Sequence, residues 1–435
     1  MRIVYLILCI LLSGTTIRAQ SLYFPPLTGN NWDTIAPQRL GWCQERIDSL
    51  YNYLDTTGTD GFIILKDGKI VLEKYFGTFT QDSLHYWASA GKSLTAMMTG
   101  IAQEKGLLRI TDTVSKHLGT GWTSEPADKE KLINIRHLLT MTSGMDDTPP
   151  LPCDNLDDNK ACLLYQTDAG TRWAYHTGPY RKLEDIITVV TGKTYTAATN
   201  DFIGDKIGMK GLWIQSVFYS KTRDMARFGL LTLSKGKWQN TSVLADTAYF
   251  RAMTNSTQEF NPAYGYLWWL NGKSSIMYPG IPVAFPTALI PNAPADMFCA
   301  LGKNDQKIYV IPSQNMVVVR TGESAFGRFA VSPYDDQLWD YINKLGEGCL
   351  ASSAPTPVRS TSFRLFPNPA NSFISFNGFA QSSDKHFRIA DLSGNILFEG
   401  DTYNNSIDVS NLSSGMYFLH VSAGDTYGVQ QFFKN

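Results

Sequence analysis

The stretch Ser89-Ala90-Gly91-Lys92 places a serine three residues before a lysine, at the start of an apolar pattern with helical spacing. That pattern continues through Leu94, Met97, Met98, Ile101 and Ala102, and Gly106 follows where a helix commonly ends. Positions i and i+3 share one face of a helix, so the serine and lysine side chains are expected to meet. A desolvated lysine can accept the proton of a serine hydroxyl. The stretch therefore predicts a buried helix that opens with a nucleophile, Ser89, and its base, Lys92.

The same serine–lysine spacing occurs twice more, in Ser234-Lys235-Gly236-Lys237 and in Ser382-Ser383-Asp384-Lys385. Neither copy is followed by an apolar helical stripe, so both are expected to be solvated turns. Spacing alone also leaves an alternative for Ser89, which is a helix N-cap with a solvated lysine nearby.

The first nineteen residues have the features of a secretory signal peptide. Arg2 supplies the positive charge, residues 3–12 form an apolar segment, and Ala19 is a small residue suited to cleavage. No later run reaches the roughly 18 apolar residues that a membrane helix needs. Residues 1–19 are therefore predicted to be removed, which leaves a soluble, exported chain without a transmembrane segment.

The composition narrows the possible functions. The chain of 435 residues has a formal net charge of −1, so it lacks the positive field that attracts nucleic acid. Its hydrophobic content of 43% fits a packed globular protein better than a disordered one. The six histidines are scattered and no C-x-x-C pair is present, so neither a metal site nor another cofactor is expected.

Export makes disulfide bonds plausible among the cysteines that follow the signal peptide. Cys153 and Cys162 bracket a polar loop, and a bond between them would close a short local ring. Cys299 lies in an apolar run and is expected to be a buried, inert thiol.

A change in composition near residue 350 divides the chain. Residues 351–362 are predicted to be a linker, because they begin with small, polar and proline residues. Residues 20–350 mix helical and strand patterns, with an Asp67-Gly68 hairpin signal near the start and three strand patterns near the end. This order predicts an α+β domain in which one antiparallel sheet is built from both termini around an inserted helical region. Residues 363–435 show short alternating runs separated by turns, which predicts a small β-sandwich domain.

The C-terminal tail resembles the sorting domain of the type IX secretion system. Three segments carry the resemblance: Leu365-Phe366-Pro367-Asn368-Pro369-Ala370-Asn371, Ile389-Ala390-Asp391-Leu392-Ser393-Gly394, and residues 407–417. The resemblance implies that the tail is an address read by the type IX secretion machinery, with delivery to the cell surface or beyond. The alternative is a carbohydrate-binding or adhesive β-module.

Residues 35–346 resemble the serine β-lactamase and penicillin-binding-protein superfamily. Within this superfamily, these residues most resemble the branch that contains class C β-lactamases, D-alanyl-D-alanine peptidases, esterases and 6-aminohexanoate-oligomer hydrolases. Besides the Ser89 motif, the resemblance rests on ordered segments at residues 134–144, 220–231, 264–269 and 308–312. It implies a serine hydrolase of the β-lactamase/transpeptidase-like fold that forms an acyl-enzyme on Ser89.

The second motif of that family, a tyrosine followed two residues later by asparagine, corresponds to Tyr175-His176-Thr177. The resemblance assigns Tyr175 to proton transfer with Lys92, since a phenol needs a nearby cation to act as a base near neutral pH. Thr177 would contact the substrate, although it lacks the paired donor and acceptor of an amide. His137 and His176 could suggest a serine–histidine–aspartate triad, but His137 is expected to be structural.

The third motif, lysine-threonine-glycine in β-lactamases, corresponds to Ala300-Leu301-Gly302, followed by Lys303. The resemblance implies that the backbone N–H groups of Ser89 and Lys303 bind the oxyanion and that Gly302 lines the substrate site. Ala300 supplies no cation for a substrate carboxylate, and Asp305 stands where related enzymes often have a glycine. An ester or small linear amide is therefore expected as the acyl substrate.

Two alternatives remain at this stage. One is a D-alanyl-D-alanine carboxypeptidase or β-lactamase, and the other is a non-catalytic surface binding protein of the same fold. The family fold also places the first and last helices side by side, which implies a disulfide bond between Cys43 and Cys349.

Overall fold

The computed structural model describes residues 22–327, 330–349, 359–360, 362–379, 385–392, 395–423 and 426–435. The predicted signal peptide, most of the predicted linker and the serine of the third serine–lysine pair, Ser382, lie outside the described residues. The chain divides into two compact units between Gly348 and Cys349.

The first unit is built on a six-stranded antiparallel sheet with the strand order β2-β1-β13-β12-β11-β8. Its strands come from the two ends of the unit, as the sequence predicts. The strands of this unit are β1 (Thr59–Lys66), β2 (Lys69–Tyr75), β3 (His85–Tyr86), β4 (Gly211–Ile214), β5 (Val217–Ser220), β6 (Lys237–Trp238), β7 (Thr241–Ser242), β8 (Trp269–Leu270), β9 (Ile276–Tyr278), β10 (Ile281–Phe285), β11 (Phe298–Gly302), β12 (Gln306–Ile311) and β13 (Met316–Gly322).

Helices fill the middle of the unit and cover the sheet. They are α1 (Gln44–Thr56), α2 (Gly91–Glu104), α3 (Val114–Leu118), α4 (Ala127–Glu130), α5 (Ile135–Leu139), α6 (Thr177–Thr191), α7 (Tyr195–Thr199), α8 (Asp205–Ile207), α9 (Thr222–Leu233), α10 (Thr247–Met253) and α11 (Pro333–Asn343). Among the described residues, no helix combines the length and apolarity needed to cross a membrane.

Both faces of the sheet are covered, because successive side chains of a strand point to opposite sides. On one face, the ring of Tyr309 in β12 lies 5.7 Å from that of Trp339 in α11. On the other face, Ile308 lies against Gly229 of α9, where a Cβ would come within 3.1 Å of its Cγ2. Gly229 thus lets α9 approach the sheet closely.

Helix α2 is the buried helix that the sequence predicts after Ser89. Twelve of its fourteen residues are buried, from Gly91 to Ala102. It ends where expected, since Gly106 has a φ of 71° and follows the helix closely. Such complete burial holds the first turn of α2, and therefore Lys92, in one place.

The second unit contains two sheets, with strand orders β14-β21-β20-β17-β18 and β15-β16-β19. Phe387, Ile389, Leu419 and other apolar side chains form its core, consistent with a sandwich. One difference from the sequence interpretation is that Arg359–Ser360, placed in the linker, pairs in parallel with Thr426–Tyr427. This short edge strand is defined by backbone hydrogen bonds to a distant segment, and amino-acid composition does not predict such bonds. The strands are β14 (Arg359–Ser360), β15 (Leu365–Phe366), β16 (Phe373–Phe376), β17 (Lys385–Ala390), β18 (Ile396–Thr402), β19 (Ser406–Asp408), β20 (Gly415–Ala423) and β21 (Thr426–Lys434).

The interpretation of Cys153, Cys162 and Cys299 from the sequence is confirmed. Cys153 and Cys162 form a disulfide bond with a Cα–Cα distance of 5.4 Å. Cys43 and Cys349, the two cysteines of the expected long-range bridge, are both disulfide-bonded. Cys299 is a buried free thiol, and burial raises its pKa well above the usual value, which makes it unreactive.

Candidate active site

Ser89 lies on a single turn of 3-10 helix, Ala88–Ala90, that leads directly into α2. Trp87 anchors this turn, since its backbone N donates to Phe218 O at 2.8 Å and its indole Nε1 donates to Ser220 Oγ at 2.8 Å. Ala88 has a φ of 46°, a left-handed conformation that is unfavourable for a residue with a side chain. Strained backbone of this kind is often found at functional sites. The partly exposed Ser89 is therefore presented from a rigid and strained turn.

Lys92 is the immediate partner of Ser89. Its Nζ donates to Ser89 Oγ at 3.2 Å, and its side chain is buried. Burial lowers the pKa of Lys92 from its ordinary value to about 7, because the charged amine is poorly solvated there. A large fraction of the amine is therefore neutral near pH 7 and able to accept a proton.

Tyr175, which precedes α6, lies on the other side of Lys92 and Ser89. Its hydroxyl is close enough to Ser89 for that side chain to influence the pKa of the phenol, and its ring centroid lies 5.3 Å from Lys92 Nζ. Trp269 stacks on the tyrosine ring at 5.9 Å, which fixes the ring plane. Burial raises the pKa of Tyr175 to about 12, while the polar Ser89 side chain opposes that rise. The structure thus brings together Ser89, Lys92 and Tyr175, as the sequence predicts.

Two further residues lie beside Lys92 that were not predicted from the sequence. Tyr180 of α6 places its ring centroid 4.5 Å from Lys92 Nζ, and its hydroxyl is hydrogen-bonded to Thr95 at 2.9 Å. Glu184, one turn later, is buried, and burial raises the pKa of its carboxyl. Its charge favours the protonated form of Lys92 and thus partly opposes the effect of burial. A glutamate on the apolar face of an amphipathic helix was the signal that could have identified it.

The end of strand β11 packs against the turn that carries Ser89. A Cβ on Gly302 would lie 2.3 Å from Trp87 O and 3.1 Å from Ala90 N, so only glycine allows this approach to the Ser89 turn. The following residue, Lys303, is in the turn between β11 and β12, and its side chain is exposed. Asn304 in the same turn donates from Nδ2 to the hydroxyl of Tyr86 at 2.8 Å.

Asp305, which departs from the family pattern, is a structural residue. It is fully buried, and its carboxylate accepts hydrogen bonds from Ser332 Oγ at 2.8 Å and Ala325 N at 3.0 Å. Lys307 Nζ lies 3.1 Å from the same carboxylate. These bonds commit Asp305 to holding the β11–β12 turn.

In the described part of the chain, neither His137 nor His176 hydrogen-bonds to Ser89. His137 belongs to a capping box at the start of α5, where its backbone N and Nδ1 pair with Asn134 at 3.0 Å and 3.3 Å. His176 is buried, and neither of its ring nitrogens has a hydrogen-bond partner among the residues that the structure describes. Burial lowers its pKa to about 4, which keeps the imidazole neutral. Thr177, which follows it, is the first residue of α6 and is buried.

The second serine–lysine pair is a surface turn, as predicted. Ser234 follows the last residue of α9 and donates to Leu231 O at 2.9 Å, a local contact that ends the helix. Lys237 is exposed. This pair shares the sequence pattern of Ser89 and Lys92, but Lys237 lacks the burial of Lys92, and so the pair provides a matched control.

The fold and the arrangement of hydroxyl, amine and phenol define a β-lactamase-fold protein, a class whose members are typically serine hydrolases. Residues 53–327 match the β-lactamase family, and residues 364–435 match the secretion-system C-terminal sorting domain. The chain therefore belongs to the β-lactamase family and carries a sorting domain. That domain indicates export by the type IX secretion machinery to the cell surface or the extracellular space.

Several solved structures share the fold of the first unit. A candidate 6-aminohexanoate-dimer hydrolase from Bacillus anthracis has a TM-score of 0.55 at 20% identity, covering 75% of this chain and 88% of its own. A candidate β-lactamase from Bacteroides dorei DSM 17855 has a TM-score of 0.55 at 18% identity, covering 70% and 99%. EstCE1, a hydrolase with promiscuous acyltransferase activity, has a TM-score of 0.53 at 15% identity, covering 70% and 99%. None of the curated proteins matches the chain.

Proposed function

We propose that this protein is an exported serine hydrolase that forms an acyl-enzyme on Ser89 and acts on an ester or a small linear amide. The observation that carries the proposal is the 3.2 Å hydrogen bond between Lys92 Nζ and Ser89 Oγ, made by a buried amine whose pKa is lowered to about 7. A lysine with its ordinary pKa would be protonated and could not act as a base.

The reaction follows from this geometry. Ser89 Oγ attacks the substrate carbonyl carbon while its proton passes to Lys92 Nζ. The tetrahedral intermediate collapses to the acyl-enzyme, and the leaving group takes a proton from the Lys92–Tyr175 pair. Water then attacks the acyl carbon and loses a proton to the same pair. The second tetrahedral intermediate collapses to the acid as the pair returns that proton to Ser89 Oγ. Tyr175, with its pKa raised to about 12, remains a neutral phenol that relays protons by hydrogen bonds.

The oxyanion is assigned to the backbone N–H groups of Ser89 and Lys303. The close approach of Gly302 to Ala90 N supports this assignment, because it brings the end of β11 beside the serine turn. Donors that are fixed before the reaction stabilise the developing charge without reorganising.

The choice of substrate rests on the third motif. Ala300, at the position of the lysine that binds the carboxylate in β-lactamases, is a buried apolar residue. The side chain of Lys303 is exposed in the following turn. A substrate without a carboxylate beside the scissile bond suits such a site. The name of the 6-aminohexanoate-dimer hydrolase agrees with a linear amide, and the acyltransferase activity described for EstCE1 agrees with an acyl-enzyme.

A substrate panel tests this proposal. We expect short-chain p-nitrophenyl esters or 6-aminohexanoate dimer to be hydrolysed by the wild-type protein, with a chromogenic cephalosporin turned over at least about 100-fold more slowly. Preferred hydrolysis of the cephalosporin, or release of D-alanine from a D-alanyl-D-alanine peptide, would instead identify a β-lactamase or a carboxypeptidase. Absence of all turnover would indicate a binding protein that retains the fold.

The dependence of hydrolysis on pH is a separate prediction. Because Lys92 must be neutral to accept a proton and its pKa is lowered to about 7, kcat/KM should rise with pH around a midpoint near 7. Tyr175 stays protonated over the accessible range, so no second fall is expected near pH 10. A pH–rate profile with stable ester substrate checks this. Full activity maintained down to pH 5 would exclude Lys92 as the base.

A further inference from the structure

Asn155 makes an unusual set of contacts with the segment that carries Tyr175. Its Nδ2 donates to Tyr175 O at 2.9 Å and to Asp147 O at 3.1 Å, and its Oδ1 accepts from Thr177 N at 3.2 Å. Its own backbone O accepts from Gly178 N at 3.0 Å. Both amide donors and the amide acceptor are thus used on backbone groups. Asn155 thus fixes the backbone on both sides of His176, at the carbonyl of Tyr175 and at the N–H of Thr177.

The loop that carries Asn155 is closed by the Cys153–Cys162 disulfide bond. Within the ring, the backbone N of Asp154 donates to Asp157 Oδ2 at 2.8 Å, and that of Leu156 donates to Asp154 Oδ1 at 2.6 Å. These bonds give the loop one conformation, which a linear segment of this polarity would not keep.

The loop is also fastened to the first turns of α6. Lys182 Nζ lies 3.0 Å from Asp158 Oδ2, which ties α6 to the loop. A Cβ on Gly178 would lie 2.2 Å from Asp157 O, so glycine at this position is what allows the two backbones to meet. The disulfide ring, Asn155 and the start of α6 therefore form one continuous support.

We propose that Asn155, held by the Cys153–Cys162 ring, is a positioning residue that keeps the Tyr175 hydroxyl in reach of Ser89 and Lys92. The proposal rests on the serine-hydrolase function above, since it assigns Asn155 a role through Tyr175. The side-chain hydrogen bonds of Asn155 in the described structure all go to backbone groups, and none of them goes to Ser89 or Lys92. Its effect should therefore appear in the chemical step rather than in substrate binding.

The test measures ester hydrolysis by Asn155→Ala in the wild-type and Tyr175→Phe backgrounds. We expect Asn155→Ala to lower kcat by about 10- to 100-fold with KM little changed, because a displacement near 1 Å at a reacting group has effects of this size. In the Tyr175→Phe background the same substitution should change kcat less than threefold, because the hydroxyl that it positions is absent. The double variant Cys153→Ser/Cys162→Ser should lower kcat in the same direction, again only when Tyr175 is present.

Asn159→Ala is the matched control, because Asn159 is exposed in the same ring and precedes the 3-10 helix Lys160–Cys162 without capping it through its side chain. The wild-type kcat is expected for this variant. If Asn155→Ala does not fold, Asn155→Asp keeps the side-chain shape and the acceptor but removes both donors, and the same loss is expected. A folded Asn155 variant with kcat within twofold of wild type would overturn the proposal. So would an equal loss in both backgrounds, which would show that Asn155 acts independently of Tyr175. Failure of the function itself is separate, since it would appear as wild-type hydrolysis that survives Ser89→Ala.

Discussion

Replacement of Ser89 by alanine is expected to reduce ester hydrolysis at least about 1,000-fold, to the rate without enzyme. The Oγ of Ser89 is the atom to which the acyl group is transferred, so no step of the proposed reaction survives its removal. Ser93, one turn further along α2, cannot take its place while its Oγ is committed to Leu267 O at 2.7 Å. Initial rates on the best ester of the panel provide the measurement.

The control for this variant is Ser234→Ala, which removes the serine of the second serine–lysine pair from a surface turn. It should keep wild-type activity. Both variants should unfold near the wild-type Tm, since Ser89 contributes a hydroxyl at the surface of the site rather than core packing. Hydrolysis that persists in Ser89→Ala would place the reaction elsewhere in the molecule.

Replacement of Lys92 by methionine is expected to lower kcat/KM by about 100- to 10,000-fold, the range assigned to a positioned general base. Methionine keeps the length and fills the buried space, but it cannot accept the proton of Ser89. Lys92→Arg should be equally inactive, because a guanidinium stays protonated. The residual kcat/KM of Lys92→Met should also no longer fall as the pH is lowered through 7. The measurement is kcat/KM from pH 5 to 9 for each variant.

Lys237→Met, at the exposed lysine of the second pair, is the matched control and should leave the profile unchanged. Burying an amine away from water lowers the free energy of unfolding, and Lys92→Met removes that amine. The Tm of this variant should therefore equal or exceed that of wild type. Wild-type kcat/KM in Lys92→Met would remove the lysine from the mechanism, even if Ser89 proved to be the nucleophile.

The features that sequence predicts well here are local. Ser89 and Lys92 meet because they are three residues apart on a helical turn, and Asp67-Gly68 forms its hairpin through left-handed φ values of 52° and 83°. The assignment of Tyr175 needed more than local pattern, since one tyrosine before an amphipathic helix has no distinctive spacing. The assignment rests instead on its place in an ordered series of motifs.

The features that sequence did not predict depend on contacts between distant segments. Asn155 supports Tyr175 only because the disulfide ring folds against α6. Glu184 lies near Lys92 only because α6 packs beside α2. Ala88 takes a left-handed φ of 46° because the flanking chain holds it there, and no property of alanine indicates that conformation. Such positions become identifiable only once the helices and loops are placed together.

The most direct test of the central claim is to label the wild-type protein with a fluorophosphonate probe and map the adduct by peptide mass spectrometry. The account predicts one covalent adduct per chain on Ser89, formed faster at pH 8 than at pH 6, and no adduct on the Ser89→Ala variant. An adduct on another residue, or ester hydrolysis that continues while Ser89 remains unlabelled, would contradict it.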